Sequence, residues 1–340
     1  MILAGDIGGT KTSLSLASVA EDGSVRLAEV HSYPSQQYAS LEAIVERFGQ
    51  EVSATVDRAC FGVAGPVLAG EATITNLPWR MSERSLTEAL GGLPSRLIND
   101  LTALAHAVPA LRGEDLVTLQ RGERQVGGAI AILAPGTGLG QGYLCWDGRR
   151  YRPGASEGGH ADFAPADDLQ IQLLQFLRAE YGHVSWERVL AGPGLHNIHR
   201  FLCAAGAATP DWVAARLAAG DPSAAISALA LTGEDPCCAR ALDIFVSIMG
   251  AQAGNLALTY MATGGVYLGG GIPPKILPKL QDGAFLRAFR AKGRLSPVAA
   301  AIPVAVIANA QAGLLGAAAC ALEHASSHVA PPPARFFGSH

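Results

Sequence analysis

Polar and apolar residues alternate in Ser13-Leu14-Ser15-Leu16, the two-residue period of a strand with one buried face. Asp22-Gly23 then reads as a hairpin turn, and Val25 to Val30 as the returning strand. Ser40 to Phe48 reads as a helix, with Ser40 as its N-cap and Gly49 as its stop. The chain continues with a strand near Ala59 to Val63, a helix near Ser82 to Leu90, a strand from Arg96 to Ile98 and a helix from Leu101 to Val108.

The opening unit is repeated about 130 residues later. Ala129 to Leu133 is a strand, Pro135 to Gly142 holds a glycine-rich turn, Tyr143 to Trp146 is the return strand, and Asp147-Gly148 is again a hairpin signal. Two copies of strand, glycine-rich turn, strand and Asp-Gly predict a duplicated α/β domain, with the two turns on the walls of one cleft. Further on, the pattern predicts a long helix from Ala239 to Met261, a strand from Val266 to Leu268, a third glycine cluster at Gly269-Gly270-Gly271, and a strand from Ile302 to Ile307. A final Ala/Leu-rich helix ends near Glu323.

Composition narrows the class. The chain has 340 residues, 49% of them apolar, enough for a large globular core. Lys and Arg number 25 against 29 Asp and Glu, a net charge of −4, which predicts no nucleic-acid or membrane-surface partner. The six cysteines contain no C-x-x-C or C-x-C pair, so zinc is not expected and buried or free thiols in a reducing compartment are. No basic segment followed by an apolar core opens the chain, and no apolar run approaches ~18 residues. The stretch from Val298 to Leu322 is interrupted by Pro303, Asn309 and Gln311. A cytoplasmic protein without a signal peptide or membrane span is the expectation.

The first turn, Gly5-Asp6-Ile7-Gly8-Gly9-Thr10-Lys11-Thr12, falls one residue short of a P-loop, because Thr10 stands where a glycine must precede the Lys-Ser/Thr pair. It also leads into a strand, not a helix. Glycines without Cβ atoms still let backbone N–H groups converge on an anion. A carboxylate repels phosphate, so Asp6 is better suited to Mg²⁺, through water. Thr10 can donate to a phosphate oxygen, and Lys11 can either neutralise phosphate or point to solvent. A Rossmann reading of Gly136-Thr137-Gly138 is weaker, because no helix follows it and no acid ends a second strand in a βαβ unit.

These segments resemble the actin/hexokinase/Hsp70 ATPase superfamily, and more closely the bacterial glucokinases. The resemblance rests on Asp6-Ile-Gly-Gly-Thr10, Leu97-Ile-Asn-Asp-Leu-Thr-Ala103, Gly136-Thr-Gly-Leu-Gly140, Glu157-Gly-Gly-His160-Ala-Asp-Phe-Ala-Pro165, Gly182 to Leu190 with Gly192-Pro-Gly194, and Val266-Tyr-Leu-Gly-Gly-Gly-Ile272, in the family's order. It implies an α/β fold of two ribonuclease-H-like domains flanking a cleft, the second larger. The small domain would span residues 1–110, with the helix at about 308–324 packing back on it. The large domain would span 111–307, and 325–340 would form a disordered tail. It implies Gly8, Gly9, Thr10 and Lys11 as a first phosphate loop, Gly136, Thr137 and Gly138 as a second, and Gly269 and Gly270 on the adenosine side of ATP, with Mg²⁺ at Asp6. The family often has Asn at position 11, which leaves the role of Lys11 open. The related repressor/kinase family carries a Cys-rich zinc motif after its Glu-Gly-x-His, and this chain lacks it. No helix-turn-helix precedes the first strand, which argues against a repressor. A homodimer is implied by the family alone.

Each acidic residue has a plain structural reading beside the chemical one. Asp100 follows a strand and precedes a helix, so it is either an N-cap or the base that takes the proton from a sugar 6-hydroxyl. Glu157 and His160 flank two glycines, as a solvated loop or as ligands of a polyol. Asp162 beside them is also a metal-ligand type, but no second histidine or cysteine is close. Glu187 is a surface glutamate or a sugar ligand. The resemblance implies that Asn99, Asp100, Glu157, His160 and Glu187 hold a hexose. Thr75-Asn76 and Gly65-Pro66 are further candidates for the sugar pocket. His183 reads as structural, and His196 and His199 as part of a solvated or half-buried helix face. The resulting expectation is ATP-dependent phosphorylation of glucose. A kinase for mannose or an N-acetylhexosamine, or an actin-like ATPase that uses no sugar, are the alternatives.

Overall fold

The computed structural model describes residues 1–74 and 77–325. Thr75, Asn76 and the tail 326–340 lie outside the described residues. The first strands are β1 (Ile2–Ile7), β2 (Lys11–Val19), β3 (Val25–Pro34) and β4 (Arg58–Val63). The small β5 (Val67–Leu68), β6 (Glu71–Thr73) and β7 (Arg80–Ser82) form a sheet of their own, and β8 (Ser95–Asn99) follows. The main sheet runs β3-β2-β1-β4-β8, with β1 to β3 antiparallel and β4 and β8 parallel to β1.

Side-chain alternation along β1 assigns its two faces. Leu3 and Ile7 enter one apolar cluster with Leu41, Ile44 and Phe48 of α1 (Leu41–Glu51). Ile2 and Ala4 enter another, on the opposite face. Ser40 caps α1, accepting from Ala43 N at 3.3 Å. Gly49 does not stop this helix, which continues to Glu51. Phe48 is sunk in the core, and Glu51 accepts Tyr33 Oη at 2.6 Å, so tertiary anchors outweigh the low helix propensity of glycine. The helices α2 (Glu83–Ala89) and α3 (Asp100–Ala107) complete this stretch.

The next stretch repeats the strand order. Its sheet runs β12 (Tyr151–Gly154), β11 (Leu139–Trp146), β10 (Ile130–Pro135), β13 (Gly265–Leu268), β14 (Val304–Ile307), β9 (Leu116–Gln120). β10 to β12 are antiparallel, β13 and β14 parallel to β10, as in the first sheet, and β9 adds an antiparallel edge. Between β12 and β13 lie α4 (Asp168–Tyr181), α5 (Glu187–Leu190), α6 (Gly192–Ala204), α7 (Asp211–Ala218), α8 (Pro222–Thr232) and α9 (Pro236–Thr259). Before β14 come α10 (Leu277–Leu280), α11 (Ala284–Arg290) and α12 (Ser296–Ala301).

Although Arg240, Asp243, Gln252 and Asn255 interrupt its apolar run, α9 is, by length and composition, long and apolar enough at 24 residues to cross a bilayer. It is instead the core helix of this stretch, with 78% of its apolar window buried. Finally α13 (Ala312–Ala325) packs on α3, β1 and β4 through Leu314, Ala317, Ala318 and Ala321, filling the face opposite α1. By their internal contacts the described residues form two compact units, Met1–Arg112 together with the described residues from Asn309, and Gly113–Ala308.

Candidate active site

In the first unit, the β1–β2 pairing ends at Ile7 opposite Thr12 and leaves Gly8-Gly9-Thr10 as the turn. Gly8 N donates to Lys11 O at 2.9 Å, closing it. Ser35, fully buried after β3, braces the turn from behind. Its Oγ donates to Gly8 O at 2.8 Å, its N–H donates to Thr10 O at 3.0 Å, and its Oγ lies 2.9 Å from buried Thr12 Oγ1. Among the described residues, the N–H groups of Gly9 and Thr10 have no acceptor. Thr10 and Lys11 are exposed.

Asp6 precedes that turn, near the C-terminal end of β1. A Cβ built on Gly313, in the first turn of α13, would stand 3.0 Å from Asp6 Oδ2. The positive end of that helix therefore faces the carboxylate. Even so, burial, reinforced by the nearby charge of Asp100 and opposed by Lys11, raises the Asp6 pKa above the usual aspartate value. Asp100 opens α3 directly after β8, but the N-cap of α3 is Asn99. Asn99 Oδ1 accepts Leu101 N at 2.9 Å and its Nδ2 donates to Gly65 O at 3.0 Å, which ties the cap to the Gly65-Pro66 turn. Asp100 Oδ1 also accepts Leu101 N, at 2.8 Å. Asp100 is open to solvent, yet desolvation by the surrounding protein raises its pKa as well, against the hydrogen bonds from Leu101 and Asn99. Two carboxylates of raised proton affinity thus stand near each other at the C-terminal edge of one sheet.

In the second unit, Leu139 is the hub. Gly136-Thr137-Gly138 is the turn between β10 and β11, with Gly136 N donating to Gly138 O at 2.8 Å. Glu187 Oε2 accepts Leu139 N at 3.0 Å, and a Cβ on Gly138 would stand 2.8 Å from the same oxygen. Gly192 N, at the start of α6, donates to Gly136 O at 2.9 Å. Gly159 is buried against Leu139, and a Cβ there would run into Leu139 O. That contact seats the tight Glu157-Gly-Gly-His160 turn beside the Gly136–Gly138 loop, with Glu157 and His160 exposed. Phe163 N donates to Val184 O at 2.9 Å and Trp186 N to Ala161 O at 3.0 Å, which brings the Glu187 segment alongside. Asp162 is engaged with His183 Nε2 at 2.8 Å. The third glycine cluster abuts the same turn, with Gly269 N donating to Leu133 O at 2.9 Å. Gly270 has φ +76°, and a Cβ there would lie 2.5 Å from Pro135 O, so only glycine fits.

Apart from Thr75-Asn76, which lie outside the described residues, and the Gly65-Pro66 turn tied to Asn99, the candidate site residues fall into two local constellations. Asp6, Gly8, Gly9, Thr10, Lys11, Asn99 and Asp100 share the first; Gly136, Thr137, Gly138, Glu157, His160, Glu187, Gly269 and Gly270 share the second. The model of one family, Glucokinase, matches residues 3–324. The glucokinase of Nostoc sp. (strain PCC 7120 / SAG 25.82 / UTEX 2576) is 41% identical over 94% of this chain and 98% of its own.

The chain belongs to the glucokinase family.

Among solved structures, the glucokinase from an Antarctic psychrotroph superposes with a TM-score of 0.85 at 34% identity, covering 95% of this chain and 98% of its own. A repressor/kinase-type (ROK family) glucokinase from Streptomyces griseus, in complex with glucose and AMPPNP, shares the fold with a TM-score of 0.63 at 23% identity, covering 95% of this chain and 99% of its own. The α/β fold with mixed sheets is thus that of the glucokinase and ROK sugar kinases.

Within this glucokinase-family frame, two supports had escaped the sequence reading. Ser35 has no local signal, because its contacts come from a turn far away in the chain. Gly192 lies in a matched segment, but its N–H duty to Gly136 is visible only once α6 is placed. His199 was expected on a solvated or half-buried face and is instead 3% exposed, because α6 is covered by α8 and α9.

Proposed function

We propose that this chain, built of two ribonuclease-H-like domains, transfers the γ-phosphoryl group of ATP to the 6-hydroxyl of glucose. The observation that carries the reading is Asp100. Asn99 performs the capping for which Asp100 was the rival candidate, and although Asp100 Oδ1 shares the Leu101 N–H, the Asp100 carboxylate is not committed to the cap and can serve as a base. A carboxylate whose pKa is raised by desolvation is, once ionised, a stronger proton acceptor than an ordinary one.

Asp100 accepts the hydroxyl proton as the sugar oxygen attacks phosphorus, and then returns it to solvent. The Gly9 and Thr10 N–H groups and the Gly136–Gly138 turn surround phosphate oxygens, and Gly269 and Gly270 approach the adenosine side. Positioning and charge neutralisation supply most of the acceleration in such transfers. Asn99, Glu157, His160 and Glu187 bind sugar hydroxyls. Leaving one of these groups unpaired costs roughly 1–3 kcal/mol, which makes the site selective among hexoses. Asp6 fits Mg²⁺: it is an oxygen donor, and the burial and the repulsion from Asp100 that together raise its pKa are what a divalent cation relieves. Bound there, Mg²⁺ would neutralise phosphate charge.

A sugar panel with ATP·Mg²⁺, read as ADP release, tests the proposal. Release that depends on glucose and falls with other hexoses supports it. Release that is equal with and without sugar assigns the chain to an ATPase, and a preference for mannose or an N-acetylhexosamine moves it to that substrate. Cytoplasmic location and a homodimer complete the proposal, and sedimentation of the purified chain tests the dimer.

A further inference from the structure

We propose that α6 and the start of α9 form a binding site for one thiophilic d¹⁰ metal ion, Zn²⁺ in its simplest form, held by His199, Cys203 and Cys237. The cysteine spacing in the sequence gives no zinc motif, because the ligands come from two helices. His199 and Cys203 are four residues apart on α6 and share one face. Cys237 lies in the first turn of α9, which packs against α6. One imidazole nitrogen and the two sulfurs lie within 4.8 Å of one another.

Two observations favour a metal over a casual cluster of thiols. The first is spacing. A tetrahedral ion with bonds of ~2.3 Å to sulfur and ~2.0 Å to nitrogen keeps its ligands roughly 3.5 Å apart. Cys203 Sγ and His199 Nδ1 are 3.7 Å apart. The second is the imidazole. His199 is 3% exposed, and among the described residues the only hydrogen-bond partner of its ring is the Cys203 sulfur, 3.7 Å from Nδ1 and 4.0 Å from Nε2. Sulfur is a weak partner, and a buried ring left with it alone is poorly satisfied. A metal–nitrogen bond would satisfy it.

Charge and access also fit. Binding releases two thiol protons to solvent, so Zn²⁺ with two thiolates and a neutral imidazole has no net charge, which suits the apolar core around Cys237. Cys203 is half-buried, which gives an ion and a fourth ligand from solvent a way in. A second nearby triad, His199, Asp235 and Cys238, is the weaker set. Asp235 already caps α9, accepting Cys238 N at 2.7 Å. The ion would clamp α6 to α9, and the N-terminus of α6 holds the Gly136 turn through Gly192. Its occupancy is thereby linked to the rigidity of the second constellation.

The test uses the full chain, reduced and stripped of metal by chelator, then titrated with Co²⁺ and Zn²⁺. The expected result is a thiolate-to-Co²⁺ charge-transfer band saturating at about one equivalent per chain, and a rise of roughly 5 °C in Tm with excess Zn²⁺. Band and shift should vanish in Cys203→Ala and in Cys237→Ala and persist in Cys145→Ser, at the exposed cysteine. Cys203→Ala, at the half-buried position, remains informative if Cys237→Ala folds poorly. No band in the wild type, a band unchanged by Cys203→Ala, or a Cys203–Cys237 disulfide that forms at the same rate with and without Zn²⁺ would each overturn the proposal.

Discussion

The two glycine turns occupy the same place in two sheets of the same strand order, yet they are built for different work. The Gly8–Thr10 turn is backed by hydroxyls, Ser35 and Thr12, and has beside it two carboxylates with raised pKa values, Asp6 and Asp100. The Gly136–Gly138 turn is backed by a carboxylate, Glu187, and by the start of α6, with Glu157 and His160 close by on a strap seated on Leu139. Under the proposed function, the first turn stands beside the groups that would move a proton or meet a cation, and the second beside fixed backbone shape and the groups that would recognise hydroxyls. We therefore propose that the repeated fold divides one reaction into a chemical half and a holding half. The variants below test that division from the largest expected effect downward.

Asp100→Asn tests the chemical half most directly. It should lower kcat by at least ~10²-fold with little change in the KM for sugar, as removal of a positioned base does. Because Asn99 is the cap, the variant should keep its helical circular dichroism. Near-normal kcat would remove Asp100 from the chemistry. Asp6→Ala should come next, with turnover reduced ~10-fold or more and a higher Mg²⁺ concentration needed for half-maximal rate. An unchanged Mg²⁺ dependence would detach Asp6 from the cation.

Glu187→Gln tests the holding half. It exchanges a charged acceptor of the Leu139 N–H, worth about 1.5–3 kcal/mol in such bonds, for a neutral one. KM for sugar and nucleotide should rise together, by roughly 10-fold, with a smaller loss of kcat. A kcat loss as deep as that of Asp100→Asn would erase the distinction between the halves.

The division of labour was less legible in the sequence than the elements were. Strand periodicity, glycine clusters and Asp-Gly turns marked both hairpins, because each signal is local. The edge strand β9 went unseen: it is short, and what holds it is distant, with Gln120 Nε2 donating to Ala299 O and Ile302 O. Asn99 and Asp100 are both good caps, so only the placed helix shows which one caps. Ser35 and the His199–Cys203–Cys237 group depend on contacts between remote segments, which no local pattern encodes.

Ser35→Ala should have a smaller effect. It strands the Gly8 carbonyl and Thr12 hydroxyl behind the first turn, at about 1 kcal/mol. KM for ATP should rise about 5-fold with sugar KM unchanged. Equal rises in both would show that Ser35 supports the whole unit and not the turn alone.

The smallest effect is on stability, and its sign follows from the carboxylates of the first half. A folded-state pKa raised above the unfolded value means that folding favours the protonated acid. Asp6 and Asp100 therefore cost least stability below the ordinary aspartate pKa of about 3.9. The cost grows as pH rises from there through the raised folded value, and is constant above it. Asp6→Asn abolishes this titration, so at pH 7 the variant should melt a few degrees above the wild type, with the gap narrowing as pH falls into the aspartate range. Asp6 should show the larger gap, because Asp100 is open to solvent. The second half makes the control: Glu187→Gln replaces a charge-assisted hydrogen bond with a weaker neutral one and should lower Tm at pH 7. An active-site acid that destabilises its own unit while a holding acid stabilises the other is what the division of labour requires. If both variants shift Tm in the same direction, the two halves are not built on opposite electrostatic terms.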